Sequence, residues 1–182
     1  ALITIVVAGP IQAQQPAPPP FATTKVTDNV YIFRYGGHQS MFIVTPDGVI
    51  ATDPISERRP AKPYIDAIEA VTKAPVRYVV YSHSHFDHIA GGKPFKDKGA
   101  TFIAHANAKA RIQQVKDPDV VVPDQVVTGS KRNVTLGGTT YADEDLVRWN
   151  GSAFSLFFDP ATAGIDPTLD VVDEYDRRAR DL

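Results

Sequence analysis

Short runs of β-branched and aromatic residues mark the first regular part of the chain. They cover residues 30–35, 41–45 and 49–53, and such runs are typical of β-strands. The glycine-containing segment 36–40 separates the first two runs, and Pro46-Asp47-Gly48 is a strong turn signal before the third. The pattern predicts three antiparallel neighbouring strands.

Helical and strand patterns then alternate. Tyr64, Ile65, Ile68 and Val71 fall on one helical face, with Pro60 and Pro63 before or within the first turn and Pro75 after the end. Residues 76–81 are nearly continuously apolar, as in a strand buried on both faces. A helix is predicted to begin near Ile89, followed by a strand at 100–105 and a helix at 107–116. This alternation predicts an α/β layered domain.

The first 20 residues have a different character. An apolar run leads through Gly9-Pro10 to a small residue, Ala13, which is similar to the end of a secretory signal with cleavage after Ala13. The run is too short to span a bilayer. Prolines 16, 18, 19 and 20 predict an extended linker. We therefore expect residues 1–20 to be a signal remnant and linker and the protein to be periplasmic or secreted; the alternative for the apolar run is a buried first strand.

Charge divides the chain near residue 140. Residues 1–140 hold 15 basic and 11 acidic side chains, whereas residues 141–182 hold 4 and 10. Within this acidic tail, residues 145–159 predict a β-hairpin around a type I′ Asn150-Gly151 turn, of different origin from the main domain. Residues 174–182 are either a short charged helix or a frayed end. The predicted main domain is therefore 25–140, and 141–182 stays unassigned.

Composition narrows the chemistry. With 182 residues, one domain is expected. The net charge of −2 provides no basic field for nucleic acid, so nucleic-acid binding is not expected. The expected partner is a small-molecule substrate. The chain has no cysteine, so a bound metal must use nitrogen and oxygen ligands.

Three of the five histidines lie within six residues, directly after the predicted buried strand: His83, His85 and His88, with Asp87 between the last two. In extended backbone, positions i, i+2 and i+4 share a face, so His83, His85 and Asp87 can converge, and His88 joins them if the chain turns. Imidazole and carboxylate are ligands for zinc, and iron or manganese also fits. The structural alternatives are surface histidines and an Asp87 that caps the following helix.

The segment His83-Ser84-His85-Phe86-Asp87-His88 resembles the His-x-His-x-Asp-His motif of the metallo-β-lactamase superfamily. Residues 40–44, 47–54, 90–92, 102–105 and 134–138 are similar to other segments of that family. The resemblance, which covers about residues 25–140, implies an incomplete αββα sandwich with one or two zinc ions at its edge.

By the same resemblance, His83 and His85 would bind one zinc ion and Asp87 and His88 a second. A metal-bound hydroxide would attack an ester, thioester, amide or lactam bond, or a related one, with Asp87 as the catalytic residue that orients it. Asp53 is either a carboxylate that orients an imidazole or an ordinary strand-end residue.

The family also uses histidines further along the chain, and this sequence has none after His105. His38, predicted in a Gly-rich loop, is either a ligand or substrate contact or a plain surface residue. His105 is expected to be structural, and Asp143, Glu144 and Asp145 are oxygen donors or a solvated face. The main prediction is a zinc-dependent hydrolase. The alternative is a catalytically incomplete truncated or fused fragment that acts at most as a metal-binding or interaction module.

Overall fold

The computed structural model describes residues 20–56, 61–128, 133–141, 148–149 and 154–155. The strands are β1 (Phe21–Lys25), β2 (Val30–Tyr35), β3 (His38–Thr45), β4 (Gly48–Thr52), β5 (Val76–Val80), β6 (Thr101–His105), β7 (Gln125–Val127), β8 (Val134–Leu136), β9 (Thr139–Tyr141), β10 (Arg148–Trp149) and β11 (Phe154–Ser155). The helices are α1 (Lys62–Val71), α2 (Phe86–Ile89), α3 (Lys93–Asp97) and α4 (Ala106–Ile112).

One seven-stranded sheet organises the fold, with strand order β1-β2-β3-β4-β5-β6-β7. The first four strands pair antiparallel, and β4 to β7 pair parallel. Helical crossovers join the parallel strands, because a parallel connection must return the chain to the same end of the sheet. The predicted alternation of strands and helices is confirmed.

The two faces of the sheet are covered differently, because successive side chains along a strand point to opposite sides. One face packs against the four helices that the structure describes, where Phe42 and Phe102 of the sheet share a core with Tyr64 of α1. The opposite face carries Ile43, Ile50 and further aliphatic side chains, and β8 packs there. Within the described residues, a helix layer, a large sheet and part of a second strand layer form an incomplete αββα sandwich, as expected.

The β2–β3 turn is tighter than predicted. Tyr35 pairs with His38, so the turn consists only of Gly36 and Gly37, and Gly36 has a φ of 61°. His38 therefore begins β3 and does not lie in a loop. A glycine accepts this φ without a Cβ clash, which allows the strands to pair up to the turn.

Several predicted boundaries need correction. The helix expected near Ile89 begins at Phe86, and the helix expected over 107–116 spans Ala106–Ile112. In β5 only Val79 and Val80 are buried, so this strand is not covered along its whole length. Strands β1 and β7 are absent from the sequence-based prediction, because β1 is exposed throughout and β7 has only three residues.

Some predicted features lie partly or wholly outside the described residues. These are the signal and most of the linker in 1–20, Pro60, the acidic residues 143–145 and the segment 174–182. Strands β10 and β11 pair antiparallel, with Trp149 opposite Phe154, so the predicted pairing is confirmed. The predicted Asn150-Gly151 turn lies outside the described residues.

No helix in the described ranges is long and apolar enough to cross a membrane.

Candidate metal centre

The site lies at the carboxyl ends of β4 and β5, which are parallel neighbours and therefore end at the same sheet edge. Asp53 follows β4, and Ser82 and His83 follow β5. Helix α2 begins three residues after His83 and carries Asp87 and His88 in a single turn. Two backbone hydrogen bonds tie α2 to the loop after Asp53: Ser56 N donates to the Asp87 carbonyl at 3.0 Å and Gly91 N to the Pro54 carbonyl at 2.9 Å.

Asp53 is a fully buried carboxylate in a left-handed backbone conformation, with a φ of 29°. Its Oδ1 accepts a hydrogen bond from Ser82 N at 2.7 Å, and its Oδ2 accepts bonds from the Ser82 hydroxyl and from His88 Nδ1, the latter at 3.1 Å. Ser40 Oγ also donates to the Asp53 carbonyl at 2.5 Å. A buried carboxylate with this many donors is held in one orientation.

His83 and His88 approach each other closely, with ring centroids 4.1 Å apart. Ligand atoms of Asp53, His83 and His88 all lie within 4.8 Å of one another. Both oxygens of Asp53 accept hydrogen bonds and Oδ2 accepts two, an arrangement in which this carboxylate fixes the orientation of the His88 imidazole. The orienting alternative for Asp53 is therefore the one that the geometry favours.

Asp87 is held between two imidazoles. Its Oδ2 is 3.3 Å from His88 Nε2 and 3.0 Å from His38 Nε2. The predicted cap role of Asp87 is wrong, because α2 begins at Phe86 and Asp87 lies within the first turn. His38, although not in a loop, does contact the predicted site, and its side chain is only 13% exposed.

His85 differs from the other motif residues because it is exposed and precedes the first helical residue of α2. Its ring centroid lies 4.5 Å from that of His83, but His85 is outside the group formed by Asp53, His83 and His88. The expected extended run through Asp87 is wrong because the chain turns helical at Phe86. The turn brings His88 into the cluster, as the spacing allowed.

The pKa values of the cluster reflect burial and charge pairing. Burial, reinforced by the nearby His88 charge, lowers the pKa of His83 to about 4. Burial also opposes protonation of His88, but its hydrogen bonds to Asp53 and Asp87 outweigh this and raise its pKa to about 10. The hydrogen bond from His88 lowers the pKa of Asp87. At neutral pH these pKa values leave Asp87 anionic and His88 protonated.

The donor set fits a divalent metal ion of the zinc class. It offers imidazole nitrogens and a carboxylate oxygen, the ligand types that zinc accepts at about 2.0–2.2 Å. Asp87 Oδ2 and His88 Nε2 are 3.3 Å apart. Two ligand atoms that bind one tetrahedral ion at these bond lengths lie about this far from each other. The metal roles of His83, His85, Asp87 and His88 remain predictions.

His105 has the expected structural role. It is buried, and its Nδ1 accepts a hydrogen bond from Asn107 N at 3.2 Å, which caps α4. Ser82 is the site residue that the sequence analysis missed. Its position directly before a histidine at a strand end was a signal, but a serine there is ordinary without the contact to Asp53.

The fold and site together define a class: an α/β protein with a histidine- and carboxylate-rich candidate metal centre at the edge of a mixed sheet. The family model of the metallo-beta-lactamase superfamily matches residues 34–168, well over half of the chain. The chain belongs to this superfamily.

Two curated proteins and one solved structure show the similarity in more detail. The 2,4-dinitroanisole O-demethylase subunit alpha of Nocardioides sp. (strain JS1661) is 23% identical over 136 residues, which are 74% of this chain and 41% of that protein. The hydroxyacylglutathione hydrolase of Pelagibacter ubique (strain HTCC1062) is 36% identical over 66 residues, which are 36% of this chain and 26% of that protein. The matches thus span less than half the length of these curated relatives.

Among solved structures, BJP-1, a subclass B3 metallo-beta-lactamase of Bradyrhizobium japonicum, is 27% identical with a TM-score of 0.54. The match covers 66% of this chain and 50% of that protein. It supports the fold assignment.

Proposed function

We propose that this protein is a metal-dependent hydrolase that cleaves an ester, thioester, amide or lactam bond, or a related one, in a small molecule, with zinc as the metal. The observation that carries the proposal is the buried Asp53 carboxylate, which holds His88 and Ser82 beside His83 and Asp87. An aspartate with a purely structural role does not need to orient imidazoles. The histidine ligands of a metal, by contrast, usually need a hydrogen-bond partner that orients them. Iron or manganese would use the same donors.

The ligands divide into two pairs in this proposal. His83 and His85, with ring centroids 4.5 Å apart, would hold one ion, and Asp87 and His88, with ligand atoms 3.3 Å apart, the other. The proton on His88 must leave before its Nε2 can bind a metal, because Nδ1 already donates to Asp53.

When bound, zinc lowers the pKa of water from 15.7 to about 7 and polarises the substrate oxygen. Asp87 has a second role in the proposal. Its low pKa keeps it anionic at neutral pH, so it can accept a hydrogen bond from the attacking water and orient it. His38, which donates to Asp87 Oδ2 at 3.0 Å, limits how far this carboxylate can move.

The relatives support hydrolysis as the reaction class. The Pelagibacter protein is named a hydroxyacylglutathione hydrolase, and BJP-1 is a metallo-beta-lactamase. The Nocardioides protein is named an O-demethylase subunit, so relatives of this chain differ in substrate. Substrate choice depends on loops and pockets around a shared fold.

The test combines metal binding with turnover. The full chain, stripped with chelator, is titrated with zinc, iron and manganese and then assayed with nitrocefin and with thioester, lactone and phosphodiester probes. We expect stoichiometric zinc uptake and turnover of at least one carbonyl probe. Absence of both metal uptake and turnover would refute the proposal, and metal uptake without turnover would favour the metal-binding module instead.

An isosteric variant locates the activity. Asp87→Asn removes one carboxylate oxygen and should lower zinc affinity and turnover by more than about 100-fold, beyond the about 10–100-fold typical of residues that only support ligands. Asp66→Asn is the matched control, because Asp66 lies on the exposed face of α1 and pairs only with Lys62 within the described ranges. Equal activity of the two variants would remove Asp87 from the mechanism.

A further inference from the structure

Ser82 connects Asp53 to His83 in the candidate metal centre. Its side chain is buried, with the residue only 3% exposed, and it lies between Asp53 and His83. Its hydroxyl contacts Asp53 Oδ2, and its Oγ is 2.8 Å from His83 Nδ1. Ser82 N also donates to Asp53 Oδ1 at 2.7 Å, so the backbone and side chain of one residue hold the same carboxylate.

The directions of these hydrogen bonds follow from the groups involved. An ionised carboxylate only accepts, so the single Ser82 hydroxyl proton is donated to Asp53. The Ser82 oxygen can then only accept from His83, so His83 Nδ1 carries a proton. In a neutral imidazole with a protonated Nδ1, Nε2 has a free lone pair. That is the atom available to a metal.

We propose that Ser82 is a positioning residue that fixes the Nδ1-protonated tautomer of His83 and aims its Nε2 at the metal. Asp53 thereby orients two imidazoles: His88 by a direct hydrogen bond at 3.1 Å and His83 through the Ser82 hydroxyl. This inference deepens the proposed function, because it rests on the metal-binding role of His83.

The experiment compares Ser82→Ala with the unchanged full chain by two measurements. Nitrogen-15 NMR of histidine-labelled, metal-free protein reports the His83 tautomer, with the His83 signals assigned by their loss in His83→Asn. Chelator competition then measures zinc affinity. We expect Ser82→Ala to lose the uniform Nδ1-protonated signature of His83 and to bind zinc about 10–100-fold more weakly.

Two further variants separate positioning from general damage. Ser82→Thr keeps the hydroxyl. It should therefore keep the Nδ1-protonated tautomer of His83 and most of the zinc affinity, even if Ser82→Ala impairs folding. Ser84→Ala makes the same change one residue after His83, where the serine makes no side-chain hydrogen bond to the part of the chain that the structure describes. It should match the unchanged protein in both measurements.

The outcomes distinguish this inference from the proposed function. If Ser82→Ala keeps both the His83 tautomer and the zinc affinity of Ser84→Ala, the positioning role is refuted. If the tautomer changes but the unchanged protein binds no metal, the Ser82 link stands and the proposed hydrolase fails. If Ser82→Thr folds but loses the His83 tautomer and the zinc affinity as Ser82→Ala does, the hydroxyl does not connect Asp53 to His83. The inference is then overturned.

Discussion

Replacing Asp53 by Asn is a sharp test of the buried carboxylate. The change keeps the side-chain shape. Asn also tolerates a positive φ as Asp does, so the φ of 29° at this position is kept. The Asn oxygen can still accept from Ser82 N. Its amide nitrogen, however, would face His88 Nδ1 and the Ser82 hydroxyl, which both donate to Asp53 Oδ2 in the unchanged protein.

The magnitude follows from these two contacts. Each buried group left without its partner costs about 1–3 kcal/mol, and the Ser82 hydroxyl recovers part of this by rotating to accept. We expect Asp53→Asn to lower the free energy of unfolding of the metal-free protein by about 2–4 kcal/mol. Because the amide nitrogen of the substituted side chain would donate, His88 Nδ1 would have to accept, and the proton of the neutral imidazole would lie on Nε2. Zinc affinity should therefore fall about 10–100-fold.

The assay is urea unfolding of metal-free protein together with chelator competition for zinc. Asp66→Asn is the control, because this partly exposed partner of Lys62 should change stability by only about 0–1 kcal/mol. If Asp53→Asn matched Asp66→Asn in both measurements, the argument that Asp53 organises the site would be wrong.

Three further predictions concern the same region. Zinc must displace the proton from His88, whose pKa is raised to about 10, so affinity should rise about tenfold per pH unit between about pH 6 and 8; a flat profile in chelator competition would contradict this. At Gly91 a Cβ would lie 2.2 Å from a backbone carbonyl oxygen, so Gly91→Ala should cost at least about 1–3 kcal/mol in urea unfolding, whereas Gly37→Ala, with nothing within 4 Å, should not. His38→Ala removes the donor 3.0 Å from Asp87 Oδ2 and should weaken zinc binding about tenfold by titration; unchanged affinity would exclude a supporting role.

Much of the fold follows from local pattern. The strands at β2 and β4 and the helix at α1 are visible in the sequence because their apolar residues repeat at strand or helix spacing. Strand β1 is not visible, because its five residues are exposed and their pairing with β2 leaves no apolar signature. Local spacing also misplaced the start of α2, since the turn at Phe86 depends on the loop bonded to Asp87 and Gly91.

The site was predictable in its residue types but not in its connections. The spacing of His83, Asp87 and His88 indicates a metal site from sequence alone. The contact between Asp53 and Ser82 joins residues 29 positions apart, and only the parallel pairing of β4 with β5 brings them together. His38 reaches Asp87 for a similar reason, because the Gly36-Gly37 turn fixes where β3 begins.

The strand order of the large sheet has a consequence for how the molecule assembles. Each strand from β1 to β7 pairs with its immediate successor in the chain, so no strand waits for a distant segment to arrive. Pairings between strands that are neighbours in sequence close shorter loops than pairings between distant strands, and shorter loops cost less conformational entropy to close. The residues of the cluster from His38 to His88 all precede β6 in the chain, so strands β6 and β7 contribute none of its side chains.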